Sequence, residues 1–257
     1  MGDNMGDHLK RLMAALIAAS ALTGQVWAAD LTVSVASSLT NAFKELAQDF
    51  EKQNGVKVLL NFAASGQLAQ QIITGAPVDV FASADQETMD RLSEKQLIQS
   101  KDRINFASNE LVVVVPVAAK SGLIKLEQLN SPTYQRVAIG LPASVPVGKY
   151  TQMVLQKQGL WLAIEAKMIG AQNVRQVLDY VARGEVDAGF VYATDAAIMQ
   201  NKVKVAMHVP TDKKILYPMA PIVTSTQYSV AQKFTTFVQS EKGRAILKKY
   251  GFGSVSQ

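Results

Sequence analysis

The chain has 257 residues, of which 48% are hydrophobic and 18% are charged, and its formal net charge is +5. This composition is typical of a globular protein with one large or two medium-sized domains. The sequence contains no cysteine, which excludes disulfides and thiolate metal sites, and only His8 and His208 are available for zinc binding or histidine catalysis. The positive charge favours an anionic partner only weakly. No basic run carries the interleaved aromatic residues expected of a nucleic-acid interface.

Residues 1–28 have the pattern of a secretory signal peptide. The basic stretch "HLKR" precedes an apolar run over 12–24, and Val26 and Ala28 occupy the minus-three and minus-one positions of a cleavage site. The apolar run is shorter than the ~20 residues that span a bilayer, and no later segment is long and apolar enough either. We therefore predict a cleaved signal and export of a soluble protein to the periplasm, with an uncleaved anchor as the alternative.

From Leu31 onward, predicted strands alternate with predicted helices. The strands are the apolar runs "LTVSVA", "VKVLLNFA", "VDVFAS", "LVVVVPV", "RVAIG", "VDAGFVYA" and "KVKVAMHV", with an extended "ILYPMAPIV". The principal helices are "SLTNAFKELAQDFEKQNG", "SGQLAQQIITG", "DQETMDRLSEKQLI", "PVGKYTQMVLQKQG", "VRQVLDYVARGE" and a closing pair in "VAQKFTTFVQSEKGRAILKKYG". Strands separated by helices indicate an α/β fold with parallel sheets.

The number of strands favours two domains over one. About ten strands in ~230 mature residues would make a wide single sheet, so two smaller domains are expected. The hinges are placed near residue 110, in "NELVVVV", and near residue 218, in "LYPMAPI". The chain then divides into a first domain of residues 29–109 and 218–257 and a second domain of residues 110–217. Two crossings imply that the C-terminal helices return to the first domain.

Two strands of the first domain end on serines that lead directly into helices. Ser38 follows "LTVSVA", and Ser65 follows "VKVLLNFA". Open α/β sheets bind ligands beyond the carboxyl ends of their strands, where helix N-termini present unpaired N–H groups and the positive end of the helix dipole. Such an arrangement binds anions. The alternative is that both serines only cap their own helices.

The second domain offers matching helix starts. Val147 and Val174 each lie at the beginning of a predicted helix, where they can donate main-chain N–H groups, and Tyr192 ends the strand "AGFVY" with a phenolic O–H. Together with the serines they would form a cage of donors alone, which suits a fully ionised oxyanion. Lys149 and Arg175 lie just inside these helices. They either raise the local potential or are solvated surface cations.

Several motifs together identify a resemblance over essentially the whole mature chain. They are "ASSLTNAF", "FAASGQLAQQIITGAPVDVFASAD", "LVVVVP", "VPVGKY", "NVRQVLDYVARGEVDAGFVYATDA" and "KKYGF". With these motifs the chain resembles the periplasmic molybdate-binding proteins of bacterial ABC transporters. The resemblance implies a two-lobed type II periplasmic binding protein, with two doubly wound α/β domains joined by two hinge strands.

The resemblance also implies a site. That family holds a tetrahedral oxyanion through two serine hydroxyls, main-chain N–H groups and a tyrosine hydroxyl. Carried across by motif, the serines fall on Ser38 and Ser65, the main-chain donors on Val147 and Val174, and the tyrosine on Tyr192. Val147 replaces the alanine of the best-known members, which should preserve the main-chain donor and change the cavity rim. No cofactor and no direct cation ligand is expected.

The function implied by the resemblance is capture of molybdate and tungstate in the periplasm and delivery to a membrane permease by a monomeric, non-enzymatic protein. The alternative within the binding class is a receptor for another small oxyanion, such as sulfate or phosphate. A hydrolase with a serine nucleophile is disfavoured, because neither serine has a histidine base nearby and the G-x-S-x-G elbow is missing. A transcription regulator is disfavoured by the signal peptide and by the absence of a helix-turn-helix motif.

Overall fold

The computed structural model describes residues 30–120, 122–123 and 125–255, so the predicted signal peptide, residues 1–28, lies outside the described residues together with His8. The strands are β1 (Leu31–Ala36), β2 (Val58–Ala63), β3 (Val80–Ala82), β4 (Ile104–Asn109), β5 (Leu111–Pro116), β6 (Val137–Gly140), β7 (Met168–Ala171), β8 (Ala188–Tyr192), β9 (Val203–Val209) and β10 (Ile215–Pro221). The α-helices are α1 (Thr40–Asn54), α2 (Ser65–Ile73), α3 (Gln86–Glu94), α4 (Pro146–Lys157), α5 (Trp161–Glu165), α6 (Val174–Ala182), α7 (Ala193–Ile198), α8 (Tyr228–Gln239) and α9 (Glu241–Lys249).

The strands form two five-stranded sheets, with the orders β2-β1-β3-β10-β4 and β7-β6-β8-β5-β9. Three neighbouring strands in each sheet run parallel, whereas β10 and β5 run antiparallel to both of their neighbours. The expectation of parallel sheets is therefore wrong for these two strands. Crossover helices connect β1 to β2 and β6 to β7, as parallel neighbours require. By contrast, β5 and β10 arrive from the other sheet through short links without a helix.

The chain crosses between the sheets twice. Glu110 alone separates β4 from β5, and residues 210–214 connect β9 to β10. Residues 215–217, which the sequence assigned to the second domain, pair with β4 in the first sheet, beginning with Ile215 opposite Asn109. We use "first lobe" for residues 30–109 and 215–255, and "second lobe" for residues 111–209.

Aromatic packing ties the C-terminal helices to the first lobe. The ring of Phe234, on α8, lies 5.1 Å from that of Phe50 and 6.2 Å from that of Phe43, measured between centroids. Both partners belong to the buried face of α1. These contacts bury large apolar surfaces, which is the main favourable contribution to folding. The last two helices thus complete the lobe in which the chain begins.

Candidate functional site

A small cavity between the lobes is lined by all five residues that the sequence singled out. They are Ser38, Ser65, Val147, Val174 and Tyr192. The cavity has about 190 Å³ of atom-free space, part of it open to solvent. The fold thus brings together positions that are far apart in the sequence, up to 154 residues between Ser38 and Tyr192. That they bind a ligand stays a prediction.

Ser38 is presented to the cavity by a short 3₁₀-helix, Ser37–Leu39, that follows β1. Its hydroxyl lies 3.1 Å from the hydroxyl of Tyr217, which also accepts a hydrogen bond from Asn109 Nδ2 at 3.1 Å. Tyr217 can therefore donate its own proton to Ser38, which leaves the Ser38 proton for another acceptor. The N-cap position of α1 is Leu39 and has no side-chain cap, so the alternative of Ser38 as a plain helix cap is wrong.

Ser65 is the first residue of α2 and is fully buried. Its Oγ accepts a hydrogen bond of 3.0 Å from the N–H of Ala84, two residues beyond the end of β3, and makes no cap to its own helix. A hydroxyl that accepts in this way still has its proton to donate. The interpretation of Ser65 as a cap of α2 is therefore wrong as well.

In the second lobe, α4 starts unusually close to β6. A Cβ added to Gly148 would lie only 1.8 Å from the main-chain oxygen of Gly140, the last residue of β6. Glycine at this position therefore lets the helix start reach the end of the strand. Helix geometry leaves the N–H of Val147, in the first turn of α4, without an intrahelical acceptor.

The start of α6 is capped in a way that leaves its first N–H free. Asn173 Oδ1 accepts a hydrogen bond of 3.0 Å from the N–H of Gln176 in the first turn. This cap satisfies a later donor of the turn and leaves the N–H of Val174, which opens the helix, without an intrahelical acceptor. Both second-lobe valines are buried, at 0% exposure for Val147 and 3% for Val174.

Tyr192 reaches from the second lobe to the first. Its hydroxyl donates to the carbonyl of Ala84 across a long 3.5 Å, and its ring meets that of Tyr217 edge-on at 5.7 Å. Burial raises the pKa of Tyr192 and of Tyr217 well above the usual value of a phenol. Both phenols are therefore neutral at physiological pH and remain hydrogen-bond donors.

The two basic residues near the site, Arg175 and Lys149, differ in their contacts and exposure. Arg175 Nε lies 2.7 Å from Asp195 Oδ1, and the guanidinium also donates to Ser38 O at 3.1 Å and to Asn41 Oδ1 at 3.0 Å. The ion pair is short but poorly aligned, because neither oxygen of Asp195 has a well-directed hydrogen bond. Arg175 is therefore not a solvated surface cation. Lys149, by contrast, is partly exposed and pairs with Glu87 of the first lobe.

Two buried carboxyl groups flank the cavity and were not predicted from the sequence. Asp195 has 0% exposure, and burial raises its pKa to about 6 although the Arg175 guanidinium lowers it. Asp85, the N-cap of α3, accepts from the N–H of Thr88 at 3.0 Å, and burial raises its pKa too. Neither carboxyl lines the cavity. Within residues 30–120, 122–123 and 125–255, no three acidic or histidine side chains are grouped to hold a metal ion.

The described geometry defines a class of protein. Two mixed α/β lobes are joined by two crossings, and polar groups from both lobes face a cavity between them. This is the type II periplasmic binding protein fold. The solved structure of the Azotobacter vinelandii periplasmic molybdate-binding protein has the same fold, with a TM-score of 0.76 and 27% identity, over 89% of this chain and 100% of that one.

Sequence comparison gives the family. Residues 31–253 match the family model described as "Bacterial extracellular solute-binding protein". The molybdate-binding protein ModA of Escherichia coli strain K12 is 38% identical over 228 residues, which cover 86% of this chain and 88% of that protein. ModA of Haemophilus influenzae is 34% identical over 254 residues, covering 96% and 98% respectively. The chain belongs to the bacterial extracellular solute-binding proteins, in the ModA family.

Proposed function

We propose that this protein captures molybdate or tungstate in the periplasm and delivers it to the permease of an ABC transporter. The observation that carries the proposal is the cavity in which Ser38, Ser65, Val147, Val174 and Tyr192 converge from two lobes. Membership of the ModA family supplies the identity of the anion, because a set of donors alone would accept several oxyanions. The E. coli and H. influenzae relatives are both named as molybdate-binding proteins.

The donor set fits an anion without protons. The two serine hydroxyls and two main-chain N–H groups can each donate to an oxyanion, and Tyr192 adds a third hydroxyl once its O–H turns from the carbonyl of Ala84 to the anion. Each such bond to an ion contributes about 1.5–3 kcal/mol before desolvation costs. No carboxylate is among the described residues that line the cavity, so no charged acceptor there would take a hydrogen bond from the proton of a hydrogen phosphate ion. The site therefore favours fully ionised molybdate or tungstate over phosphate.

The division into domains supports capture between two lobes. The proposed domains are residues 29–109 with 218–257, and residues 110–217. The pairing of residues 215–217 with β4 supports moving the second domain boundary from residue 217 to the connection at 210–214. A ligand held by groups of both lobes stabilises their association, as expected of a binding protein whose shape signals that it is loaded.

The remaining parts of the proposal follow from the family and the cavity. The protein acts by binding and not by catalysis, and among the described residues the cavity lining includes no histidine that could activate Ser38 or Ser65. We expect a monomer that needs no cofactor, binds no nucleic acid and is exported by a signal peptide cleaved near residue 28. None of the helices in the described part of the chain is long and apolar enough to cross a membrane.

Calorimetry of the purified exported protein against four anions tests the proposal. Molybdate and tungstate should bind tightly and alike, because the two ions are nearly the same size and charge. Sulfate is smaller, and donors fixed on helix starts cannot close around its shorter bonds. Phosphate additionally carries a proton at neutral pH. Sulfate or phosphate affinity comparable to that for molybdate would refute the assignment in favour of another oxyanion receptor.

A further inference from the structure

Arg175 makes polar contacts in both lobes. It belongs to α6 of the second lobe, where its Nε lies 2.7 Å from Asp195 Oδ1. Its two terminal nitrogens donate to groups of the first lobe, one to Ser38 O at 3.1 Å and the other to Asn41 Oδ1 at 3.0 Å. Each of the three guanidinium nitrogens thus has a polar contact, an ion pair at Nε and a hydrogen bond at each terminal nitrogen, and both hydrogen bonds cross between the lobes.

The place of Arg175 in the chain gives these contacts a consequence for the cavity. It directly follows Val174, the proposed main-chain donor of the second lobe, and it binds the carbonyl of Ser38, a proposed hydroxyl donor of the first lobe. Arg175 itself is not among the residues that line the cavity. It therefore sets the separation of two donors without contacting the ligand.

We propose that Arg175 is a positioning residue that clamps the two lobes together across the ligand cavity, with Asp195 as its anchor; this inference rests on the proposed function. Only arginine has a planar fork that can serve three acceptors at once. Asp195 is fully buried and the Arg175 side chain only 21% exposed, so water competes weakly for these contacts. The clamp forms only when the lobes approach, and it therefore favours the closed arrangement over an open one.

The clamp predicts a specific kinetic effect. A ligand that touches both lobes binds the closed arrangement better, and a contact that stabilises closure slows the release of the ligand. Replacing Arg175 by lysine keeps the charge beside Asp195 but removes the fork, so the bonds to the first lobe are lost. We expect molybdate to bind Arg175→Lys about tenfold more weakly, mainly through faster release.

Two companion variants keep the test independent of folding. Asn41→Ala removes one first-lobe acceptor of Arg175 and leaves both buried charges in place, so it should fold and weaken binding about threefold. Arg183→Gln is the matched control. Arg183 follows α6, and its pair with Glu185 is exposed and 3.7 Å long. This control should bind molybdate within about twofold of the unmodified protein.

A distance measurement reports the clamp without relying on affinity. Because the chain contains no cysteine, Gln53→Cys and Leu162→Cys introduce unique labelling sites on exposed positions, one in each lobe, and Leu162 is 79% exposed. Pulsed electron paramagnetic resonance then gives the distance between spin labels, with and without molybdate. In Arg175→Lys the distribution should broaden toward longer distances, whereas Arg183→Gln should match the parent.

The outcomes separate the two proposals. Weaker binding, faster release and a longer label distance in Arg175→Lys support the clamp. Affinity and distance like those of Arg183→Gln overturn it, and so does weaker binding with an unchanged distance, which would assign Arg175 a purely electrostatic effect. If Arg175→Lys does not fold, Asn41→Ala decides by the same criteria. If the unmodified protein binds none of the four oxyanions, the proposed function fails, and the label distances still decide the clamp.

Discussion

The two lobes supply their proposed donors in different ways. The first lobe uses side chains, the hydroxyls of Ser38 and Ser65, which are oriented by Tyr217 and by the N–H of Ala84. The second lobe uses mainly main-chain N–H groups at the starts of α4 and α6. A side-chain donor disappears with one substitution, whereas a main-chain donor is lost only when its helix moves. Ligand binding by the first lobe should therefore depend on side-chain identity, and ligand binding by the second lobe should depend on backbone position.

Moving the backbone of the second lobe should have the largest effect. In Gly148→Ala, the new Cβ cannot remain 1.8 Å from the main-chain oxygen of Gly140, so the start of α4 must shift and carry the Val147 N–H with it. We expect molybdate affinity to fall by more than about a hundredfold, because donors and cavity rim move together. Stability should fall by about 1–3 kcal/mol. Calorimetry and urea unfolding measure the two effects.

Gly122→Ala is the control for that comparison. A Cβ at Gly122 meets no atom of the described residues within 4 Å. The affinity and stability of this control should remain near those of the unmodified protein. Wild-type affinity in a folded Gly148→Ala protein would contradict the assignment of the α4 start to the site.

Removing side-chain donors of the first lobe should have the next largest effect. Ser38→Ala and Ser65→Ala each delete one hydroxyl donor, and each should weaken molybdate binding by about 1–3 kcal/mol, roughly five- to a hundredfold. Ser65→Ala should also lower stability, because the buried N–H of Ala84 loses its acceptor. Melting temperature and calorimetry on the same proteins separate the effects. Lost stability with unchanged affinity would show that the serines are structural only.

The sequence predicts much of this arrangement because the relevant signals are local. A strand followed within two residues by a serine and a helix that starts at Pro146 are visible in a few residues, and Gly55, the last residue of the first predicted helix, follows α1 with a φ of 65°. The strands β4 and β7 were missed. Their sequences, "INFASN" and "MIGA", are short or mix polar and small residues, and they become strands by pairing with neighbours already in place.

The residues that orient the donors could not be predicted, because their contacts join distant parts of the chain. Ser38 and Tyr217 are 179 residues apart, and Tyr217 lies in an extended apolar segment that indicates only a core position. Asp195 has the sequence position of an ordinary acidic residue in the first turn of a helix, where it is favourable for the helix dipole. Its burial against Arg175 follows from the packing of α6 and α7, which no local pattern encodes.

The buried carboxyl group of Asp195, in the second lobe, should make a smaller, pH-dependent contribution to stability. The pKa of Asp195 is about 6 in the folded protein and 3.8 in its usual environment. The folded state therefore binds the proton more tightly, and the contribution of Asp195 to stability rises as pH falls from about 6 to about 4. The change is at most about 1.4 kcal/mol per pH unit.

Urea unfolding of the unmodified protein and of Asp195→Asn at pH 5, 6 and 7 isolates this effect. Other carboxyl groups titrate in both proteins and cancel in the difference between their free energies of unfolding. That difference should move in favour of the unmodified protein as the pH is lowered from 6 to 5. Parallel pH profiles would show that Asp195 does not titrate in this range, and the raised pKa would be wrong.

The smallest expected effect on binding is that of Val147→Ala, and it tests the comparison most sharply. Val147 is fully buried, so truncation should lower stability by about 1–3 kcal/mol through lost packing. The main-chain N–H is the same in alanine, and we expect molybdate affinity to stay within about twofold. Ser38→Ala should show the reverse pattern, with a large loss of affinity. An affinity loss of tenfold or more in folded Val147→Ala would show that the valine side chain shapes the cavity. The second lobe would then depend on side-chain identity in the same way as the first.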